Sequence, residues 1–345
     1  MDNNSDPTKL DTAAVEAWLT AHLPGFKGPI KATKFADGQS NPTFRLDTPS
    51  GRYVLRRKPP GKLLKSAHAV DREFRVQSAL AGTDVPVAKM YVLCEDDDVI
   101  GSMFYIMEMV DARNFFDPRL PEVNNDERGE IFDDMNRVLA AIHDVDIDAV
   151  GLSDYGPEGN YYERQISRWT KQYRAAETER LAPMEELIEW LGAHMPADDG
   201  QRTLVHGDFR IDNMLFDKKD PRCVAVLDWE LSTIGHPYAD LAAVIMQWRM
   251  APGGMGRGLA GVDRGPLNIP TDEEFVAKYC ERRGISSIPD FNFYLAFTFF
   301  RMAGIIQGVY KRALDGNASN PERGIALGAN VGNFAQFGLE AAKNG

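Results

Sequence analysis

The chain has 345 residues, of which 43% are hydrophobic and 26% are charged. These values are ordinary for globular proteins, so they exclude collagen-like, low-complexity and fully disordered chains, and the length predicts two domains or one bilobal unit. With 51 acidic and 39 basic residues the formal net charge is −12, which argues against nucleic acid or an anionic membrane as the main partner.

Cysteine usage and the first residues predict a cytoplasmic protein. Cys94, Cys223 and Cys280 form no C-x-x-C pair and no metal-ligand spacing, so we expect packed thiols in a reducing compartment and no structural zinc. Residues 1–6 show no basic segment followed by an apolar stretch, so a secretory signal is not expected. The sequence does not indicate an oligomeric state.

The region before residue 110 is predicted to be a small antiparallel sheet with two helices. Hydrophobic residues at helical spacing predict a helix over Thr12–Leu23, which Pro24-Gly25 ends. Strand-like runs separated by turn residues then predict two hairpins with one helix between them. The strands are Thr43–Thr48, Arg52–Arg57, Met90–Cys94 and Val99–Met109, and the inserted helix is Ala67–Ala81.

After residue 110 the pattern becomes mostly helical, with a short β interlude. Apolar residues over Ile131–Ile142 lie on one helix face, and Thr271 begins a capping box for a later helix. The most apolar run, Phe291–Tyr310, contains Arg301 and other polar residues, so we predict a buried helix rather than a membrane span. The remaining elements are helices over Tyr161–Glu177 and Met184–His194, strands over Thr203–Val205, Asn213–Phe216 and Val224–Trp229, and helices from Pro237 onwards.

These elements predict an α+β fold with two lobes. Residues 1–110 form a small antiparallel-sheet lobe, and residues 111–345 form a larger, mostly helical lobe. The sequence has no internal repeat of fixed period and no Pro/Ser-rich linker, so we expect a hinge at the boundary.

The strongest chemical signal is the loop His206–Asn213, followed by Asp228 at the end of a predicted strand. Phosphoryl transfer needs one carboxylate that accepts a proton from the attacking hydroxyl, and an amide oxygen and a second carboxylate that hold Mg²⁺. Asp208 and Asn213 are 5 residues apart, as in the kinase loop H-R-D-x-x-x-x-N, and Asp228 stands where the Asp of D-F-G would. The alternative is a turn or capping cluster, because Asp and Asn are common turn residues.

The motifs H-G-D-x-x-x-x-N at His206–Asn213 and D-[FW]-[GE] at Asp228–Glu230 carry a family resemblance. Over nearly its whole length the chain resembles the aminoglycoside phosphotransferase and choline kinase-like family, a branch of the protein kinase-like fold. The resemblance implies a small-molecule kinase that uses ATP and Mg²⁺, with a nucleotide-binding N-terminal lobe and a catalytic loop and acceptor site in the C-terminal lobe. It makes Asp208 the catalytic base, and Asn213 and Asp228 the Mg²⁺ ligands.

The resemblance also assigns supporting residues. The residue that matches His206 is a buried scaffold residue in kinase-like folds, and the family's counterpart of Asp240 braces the catalytic loop by hydrogen bonds. His236 stands where many relatives carry Asp, and its role is open.

In the N-terminal lobe the resemblance assigns residues to the triphosphate. Arg56 stands where the family has a Lys that contacts phosphates, and Glu73 on the next helix is expected to pair with it. Glu73 shares a helix face with apolar residues, so it needs a partner; a surface contact is the alternative. Arg57 and Lys58 are fallback phosphate contacts, with a solvated strand end as the alternative.

The remaining nucleotide contacts are expected from backbone groups. In a loop with a single glycine, the N–H groups of Gln39 and Ser40 would face the phosphates, and an ordinary β-turn is the alternative. At the lobe boundary, the carbonyl of Glu108 and the N–H of Val110 would hold adenine.

A narrower resemblance concerns the acceptor. The run Val54–Leu64 and the segment Asp228–Leu231 with Gly235-His236-Pro237 look like kinase domains fused to acyl-CoA dehydrogenases. This implies a hydroxyacyl-CoA or hydroxy acid acceptor. Lys62 and Lys65 would then contact an anionic carrier, unless they are solvated surface lysines. An acidic chain would equally suit an aminoglycoside.

Two other function classes stay open. Arg56 in place of Lys is the one feature that favours a catalytically inactive nucleotide-binding scaffold, and the presence of Asp208, Asn213 and Asp228 argues against it. His206, Asp208 and Asp228 could also build a metal-dependent hydrolase. The run Gly256–Gly261 satisfies G-x-G-x-x-G but follows a helix rather than a strand, so we interpret it as a mobile loop. The family resemblance implies that this loop borders the acceptor site, because relatives insert substrate-covering segments there.

Overall fold

The computed structural model describes residues 10–35, 41–59, 69–253, 257–318 and 320–343. Several positions with expected roles lie outside these residues: Gln39, Ser40, Lys62, Lys65 and Gly256. The chain forms two compact units. The first contains the chain up to Phe115, Asp148–Leu152 and Ile211–Ser232, and the second contains the remainder. The lobe boundary at residue 110 stays a prediction.

Helices and strands follow the α+β pattern that the sequence predicts. The strands are β1 (Lys31–Lys34), β2 (Thr43–Thr48), β3 (Gly51–Arg57), β4 (Met90–Cys94), β5 (Phe104–Glu108), β6 (Arg113–Asn114), β7 (Thr203–Val205), β8 (Met214–Phe216), β9 (Cys223–Val226) and β10 (Thr233–Gly235). The helices are α1 (Thr12–His22), α2 (Val70–Ala79), α3 (Asn125–His143), α4 (Tyr161–Ala176), α5 (Ala182–Ala193), α6 (Tyr238–Trp248), α7 (Asp272–Arg283), α8 (Phe291–Leu314), α9 (Pro321–Gly328) and α10 (Val331–Lys343).

In the first unit, β1 to β5 form one antiparallel sheet in the order β1-β2-β3-β5-β4. Apolar side chains of the sheet, including Phe44 and Leu55, share a core with Val15 and Leu19 of α1. Helix α2 contacts β4 and β5. Because successive side chains of a strand point to opposite faces, Leu55 enters the α1 core while Arg56 points to the side of α2.

Strand β5 is shorter than the predicted run Val99–Met109. The first residues of the predicted run form a turn instead. In this turn the N–H of Gly101 donates to the carbonyl of Asp97 at 2.7 Å, and Gly101 adopts a φ of 79°. A positive φ suits glycine and interrupts extended backbone. The strand therefore begins only at Phe104.

A second sheet of the first unit has the order β6-β8-β9. The strand predicted over Val224–Trp229 ends at Val226, because Asp228 adopts left-handed φ and ψ angles of 64° and 55° and Trp229–Leu231 form a 3-10 turn. Asn213 ends another 3-10 turn instead of beginning β8. Both metal-motif residues thus lie just outside a strand.

In the second unit, α8 is long and apolar enough to cross a membrane by length and composition, with a mean hydropathy of 1.2. However, 67% of its most apolar window is buried, and α8 contacts α4, α6, α9 and α10. This agrees with the predicted buried helix. The predicted capping box at Thr271 is also present at the start of α7.

The glycine-rich run after α6 differs from the mobile loop that we expected. In its described part, Leu259 is buried and its N–H donates to the carbonyl of Trp248 at 2.9 Å. A Cβ at Gly258 would lie 1.8 Å from the Met250 carbonyl oxygen, so glycine is needed for this close approach. Residues 257–261 therefore pack against the end of α6.

Candidate active site

Arg56 on β3 and Glu73 on α2 form the ion pair that the sequence predicts. Arg56 Nε lies 2.8 Å from Glu73 Oε2, and Arg56 Nη2 donates to Glu73 Oε1 at 3.1 Å. Only 13% of the Arg56 side chain and 1% of the Glu73 side chain are exposed, so removal of Arg56 would leave the buried Glu73 carboxylate without its cation. A Lys could reach the carboxylate through one nitrogen only.

The same guanidinium reaches two more carboxylates. Arg56 Nη2 donates to Asp228 Oδ1 at 2.8 Å and lies 3.7 Å from Glu230 Oε2. Carboxylate oxygens of Glu73, Asp228 and Glu230 lie within 4.8 Å of one another. Burial alone would lower the pKa of Arg56, but the nearby carboxylates outweigh it and raise the pKa above its ordinary value. The guanidinium therefore stays charged.

Sequence reasoning missed two residues of this network. The Tyr105 hydroxyl donates to Glu73 Oε2 at 2.9 Å, and Asn41 Nδ2 donates to Glu73 Oε1 at 3.1 Å and to Glu230 Oε2 at 3.3 Å. Burial raises the pKa of Glu73, while Arg56 and Tyr105 oppose the rise. Tyr105 stands opposite Arg56 in the register of β3 and β5, and that pairing is the signal that could have identified it.

The two fallback phosphate contacts, Arg57 and Lys58, lie outside the network of Arg56. Arg57 is buried and donates to Ser102 Oγ and to the carbonyl of Ile100, both at 3.0 Å. Burial lowers the pKa of Arg57. Arg57 thus anchors the turn before β5, and Lys58 lies one residue beyond the end of β3. In the described part of the sheet, the network uses Arg56 rather than either fallback residue.

Asn213 and Asp228 lie at the same end of the β8–β9 hairpin. The N–H of Leu227 donates to the carbonyl of Asn213 at 2.7 Å, immediately beyond the paired residues of the two strands. The Asn213 side chain is buried, whereas 34% of the Asp228 side chain is exposed. Asp tolerates the left-handed conformation better than most residues, which lets Asp228 turn out of the strand at this point.

Asp208 follows β7 in the second unit, on a loop that Asp240 holds. The buried Asp240 carboxylate accepts the N–H of His206 at 2.6 Å and the N–H of Gly207 at 2.8 Å. Burial would raise the pKa of Asp240, but His143 and the Gly207 N–H outweigh it and lower the pKa. His206 is buried, as predicted, and its Nδ1 accepts the N–H of Asp208 at 3.2 Å.

The Asp208 carboxylate itself is accessible. Its side chain is 32% exposed, and Arg210 Nε lies 3.3 Å from Asp208 Oδ2. Arg301 Nη2 donates to the carbonyl of Gly207 at 3.4 Å. The loop thus has a braced backbone and an exposed carboxylate, which suits a group that must meet a substrate.

Asp240→Asn is expected to destabilise the second unit by about 1–3 kcal/mol, because an amide keeps only one acceptor oxygen and leaves a buried N–H of His206 or Gly207 without its partner. Urea unfolding measures the effect. Asp144→Asn, which removes an exposed ion pair with Arg283, is the matched control and should cost less than about 1 kcal/mol. Equal losses in the two variants would contradict the bracing role.

Stability is expected to fall as the pH is lowered from 7.5 to 5. Burial lowers the pKa of His143 below its ordinary value of 6.5, although Asp240 partly opposes this. Between the folded pKa and 6.5 the unfolded chain then binds more protons than the folded chain, so the free energy of unfolding decreases as the pH falls through that window. The measurement is urea unfolding at several pH values.

His143→Gln should reduce this pH slope, since the variant removes the titrating group. His22→Gln, at an exposed histidine of α1, should keep the wild-type slope. An unchanged slope in His143→Gln would show that other groups cause the pH dependence, and buried His236, whose pKa burial also lowers, is the first of these to test.

His236, whose role was open, is part of an aromatic cluster. Its ring is stacked on Tyr294 at 5.5 Å and lies 4.8 Å from the ring of Tyr238. His236 Nε2 lies 3.3 Å from Asp199. These contacts explain its burial by packing.

Glu108 ends β5, and Val110 lies two residues further along the chain. The Glu108 N–H donates to the carbonyl of Lys89 at 2.9 Å, and the Lys89 N–H donates to Glu108 Oε2 at 3.3 Å. Both groups tie Glu108 to the segment that enters β4. The adenine contacts expected from Glu108 and Val110 stay predictions, and Ser40 is outside the described residues.

Comparison with known proteins now identifies the family. Residues 31–281 match the model of the phosphotransferase enzyme family. The chain belongs to this family. Among curated relatives of this phosphotransferase family member, mouse acyl-CoA dehydrogenase family member 10 is 45% identical over 323 residues, which cover 92% of this chain and 30% of the relative. Mouse acyl-CoA dehydrogenase family member 11 is 44% identical over 345 residues, which cover 97% of this chain and 44% of the relative.

The chain therefore spans less than half the length of these curated relatives. Their names fit the predicted subgroup of kinase domains fused to acyl-CoA dehydrogenases, so the narrower resemblance is confirmed. The family supports a small-molecule phosphotransferase as the broad class of activity.

Solved structures agree with this fold. A putative aminoglycoside phosphotransferase from Ralstonia eutropha is 50% identical, with a TM-score of 0.89 over 97% of this chain and 99% of that chain. Choline kinase from Cryptosporidium parvum is 12% identical, with a TM-score of 0.65 over 96% of each chain. A thermostable aminoglycoside phosphotransferase mutant, in a ternary complex with AMP-PNP and hygromycin B, is 18% identical, with a TM-score of 0.63 over 96% of this chain and 99% of that chain. The predicted protein kinase-like fold is confirmed.

Proposed function

We propose that the chain transfers the γ-phosphoryl group of ATP to a hydroxyl group of a small molecule. The observation that carries the proposal is the ion-pair network of Arg56, Glu73 and Asp228, because it joins residues expected to bind a triphosphate from three segments of the first unit. Family membership supports the reaction class. The AMP-PNP complex of a related aminoglycoside phosphotransferase supports ATP as the donor.

In this reaction the acceptor oxygen bonds to the γ-phosphorus, and the bond from that phosphorus to the oxygen of departing ADP breaks. Asp208 orients the acceptor hydroxyl and takes its proton. The Asp240 carboxylate holds the two N–H groups just before Asp208, so the carboxylate of Asp208 needs little rearrangement before the reaction.

Arg56 is the residue that we assign to the phosphates. A guanidinium presents a planar set of donors that matches phosphate oxygens, and Glu73 fixes its orientation through contacts at 2.8 and 3.1 Å. Replacement of the family's Lys by Arg thus keeps a phosphate-binding cation. Arg also has a second nitrogen, Nη2, that donates a hydrogen bond to Asp228.

The donor set fits a Mg²⁺ ion. Asn213 and Asp228 offer an amide oxygen and a carboxylate at one end of the same hairpin, and Mg²⁺ prefers oxygen ligands. The Asp228 side chain is partly exposed, so its carboxylate can accept a contact besides that of Arg56. When bound, Mg²⁺ would neutralise charge on the phosphate oxygens.

For the acceptor we propose a hydroxyacyl-CoA or a related hydroxy acid. The curated relatives are named acyl-CoA dehydrogenase family members, and the chain covers only 30% and 44% of the lengths of two of them. A kinase region joined to an acyl-CoA enzyme would act on a related acyl compound. An aminoglycoside is the second candidate, because the 50% identical R. eutropha protein is described as an aminoglycoside phosphotransferase.

Thermal unfolding with added ligands tests the binding half of the proposal. We expect Mg-ATP to raise the unfolding temperature more than Mg²⁺ alone, since a ligand at 100 times its Kd stabilises the fold by about 2.7 kcal/mol. Stabilisation by Zn²⁺ without any effect of Mg-ATP would contradict it and favour the hydrolase alternative.

An ATP-consumption screen tests the catalytic half. The acceptors are hydroxyacyl-CoA esters, free hydroxy acids, aminoglycosides, choline and sugars. We expect consumption to depend on a hydroxyacyl compound. Consumption with an aminoglycoside alone would overturn the acceptor, and Mg-ATP binding without consumption for any acceptor would favour the inactive scaffold.

A further inference from the structure

Asn41 contributes a fully buried amide to the network around Arg56. Its side chain is 0% exposed, and Nδ2 donates to Glu73 Oε1 at 3.1 Å and to Glu230 Oε2 at 3.3 Å. An amide nitrogen carries two hydrogens, and both are directed at carboxylates. These carboxylates are 32 and 189 residues away along the chain, so one side chain connects distant segments.

The acceptors of Asn41 are also those of the guanidinium. Arg56 Nη2 lies 3.1 Å from Glu73 Oε1 and 3.7 Å from Glu230 Oε2, the same two oxygen atoms that Asn41 contacts. Asn41 therefore fixes the oxygens that orient Arg56. Loss of the amide would remove a donor that Glu73 and Glu230 share, and the three carboxylates of the network would repel one another around a single cation.

The backbone of Asn41 is held next to Arg56 by the sheet. Thr43 pairs with Arg56 in the register of β2 and β3, and Thr43 Oγ1 donates to the Asn41 carbonyl at 3.0 Å. The N–H of Arg57 donates to the carbonyl of Pro42 at 3.0 Å. These hydrogen bonds fix the position of Asn41 beside Arg56.

Only a donor suits this position. If the amide were reversed, its oxygen would face two carboxylates, and an Asp would add a fourth acid to Glu73, Asp228 and Glu230. Asn and Asp have nearly the same shape. A comparison of Asn with Asp at position 41 therefore separates the effect of hydrogen-bond donation from the effect of packing.

We propose that Asn41 is a positioning residue that aims Arg56 at the phosphates of the nucleotide by holding Glu73 and Glu230 in place. The inference rests on the proposed function, because it assigns the phosphates to Arg56. It adds a residue that touches neither substrate nor metal but sets the affinity of the nucleotide site.

The test measures the Kd of Mg-AMP-PNP by calorimetry for the wild-type chain, Asn41→Leu and Asn41→Asp. We expect about tenfold weaker binding for Asn41→Leu at pH 8, and at least as large a loss for Asn41→Asp. Protonation of the introduced carboxyl lets it donate one hydrogen bond. The ratio of the Kd of Asn41→Asp to the wild-type Kd should therefore become smaller as the pH is lowered from 8 to 6. Among the residues that the structure describes, the titratable groups of this network are Glu73, Glu230, Asp228, Arg56 and Tyr105.

The matched control is Asn136→Leu. Asn136 is also buried, donating to the carbonyl of Phe275 at 2.8 Å and accepting from Arg282 at 2.8 Å, but it belongs to the second unit. This variant should lose stability and keep the wild-type Kd.

Binding within twofold of wild type for both Asn41 variants would overturn the inference, as would equal Kd changes in Asn41→Leu and Asn136→Leu. If Asn41→Leu does not fold, the pH response of the nearly isosteric Asn41→Asp decides the question. Failure of the wild-type chain itself to bind Mg-AMP-PNP would instead overturn the proposed function, so the two failures are distinct.

Discussion

Asp208→Asn is expected to lower turnover with the true acceptor by about 10²- to 10⁴-fold, which corresponds to about 3–5 kcal/mol in the activation barrier. The amide cannot take the hydroxyl proton, yet it has the same shape, and the loop stays braced because its backbone N–H groups bind Asp240. Mg-AMP-PNP binding should therefore remain within about twofold of wild type, which separates loss of the base from loss of the site.

The matched control for this variant is Asp217→Asn, the same substitution in the turn that follows β8. Asp217 Oδ1 accepts the N–H groups of Lys219 and Asp220 and has no role in the proposed chemistry. Its turnover should stay close to wild type. Full turnover in Asp208→Asn would remove Asp208 as the base.

Arg56→Met is expected to lower the free energy of unfolding by about 3–5 kcal/mol at pH 7.5, the usual cost of leaving a buried charge without its partner. The variant removes the cation that contacts Glu73, Asp228 and Glu230. Binding of Mg-AMP-PNP should be lost with it. Urea unfolding and calorimetry measure the two effects.

The pH dependence of this variant provides a second check. Burial raises the pKa of Glu73 even beside Arg56, so Glu73 in the variant should take up a proton at a higher pH than in wild type. The folded variant then binds more protons than the unfolded chain. The loss in its free energy of unfolding relative to wild type should therefore become smaller as the pH falls from 7.5 to 5.

Two variants serve as controls. Arg45→Met on β2 removes a partly exposed ion pair with Asp47 and should cost less than about 1 kcal/mol. Arg56→Lys keeps the charge but not the two-armed contact and should recover part of the lost stability. A loss in Arg56→Met no larger than in Arg45→Met would contradict the buried network.

Local patterns were sufficient to predict much of the fold and part of the site. Helical spacing predicted α1 and the buried α8. The position of Glu73 on an apolar helix face predicted that it has a partner, and the family resemblance identified that partner as Arg56. Such predictions succeed because they depend on neighbours three or four residues apart, or on one group that needs an opposite charge when buried.

The rest depends on contacts that no local pattern contains. Asn41 and Glu230 meet across 189 residues of sequence, and Tyr105 reaches Glu73 only through the register of β3 and β5. The end of β9 was also missed, because Asp tolerates the left-handed conformation without requiring it, so residue type alone does not show that Asp228 leaves the strand.

The most direct measurement is a crystal structure of the chain with AMP-PNP and Mn²⁺, in which anomalous scattering locates the metal. We predict one Mn²⁺ bound by the side-chain oxygens of Asn213 and Asp228, Arg56 in contact with the phosphate oxygens, and the γ-phosphate directed at Asp208. A nucleotide bound elsewhere, or a metal that neither Asn213 nor Asp228 coordinates, would contradict this prediction.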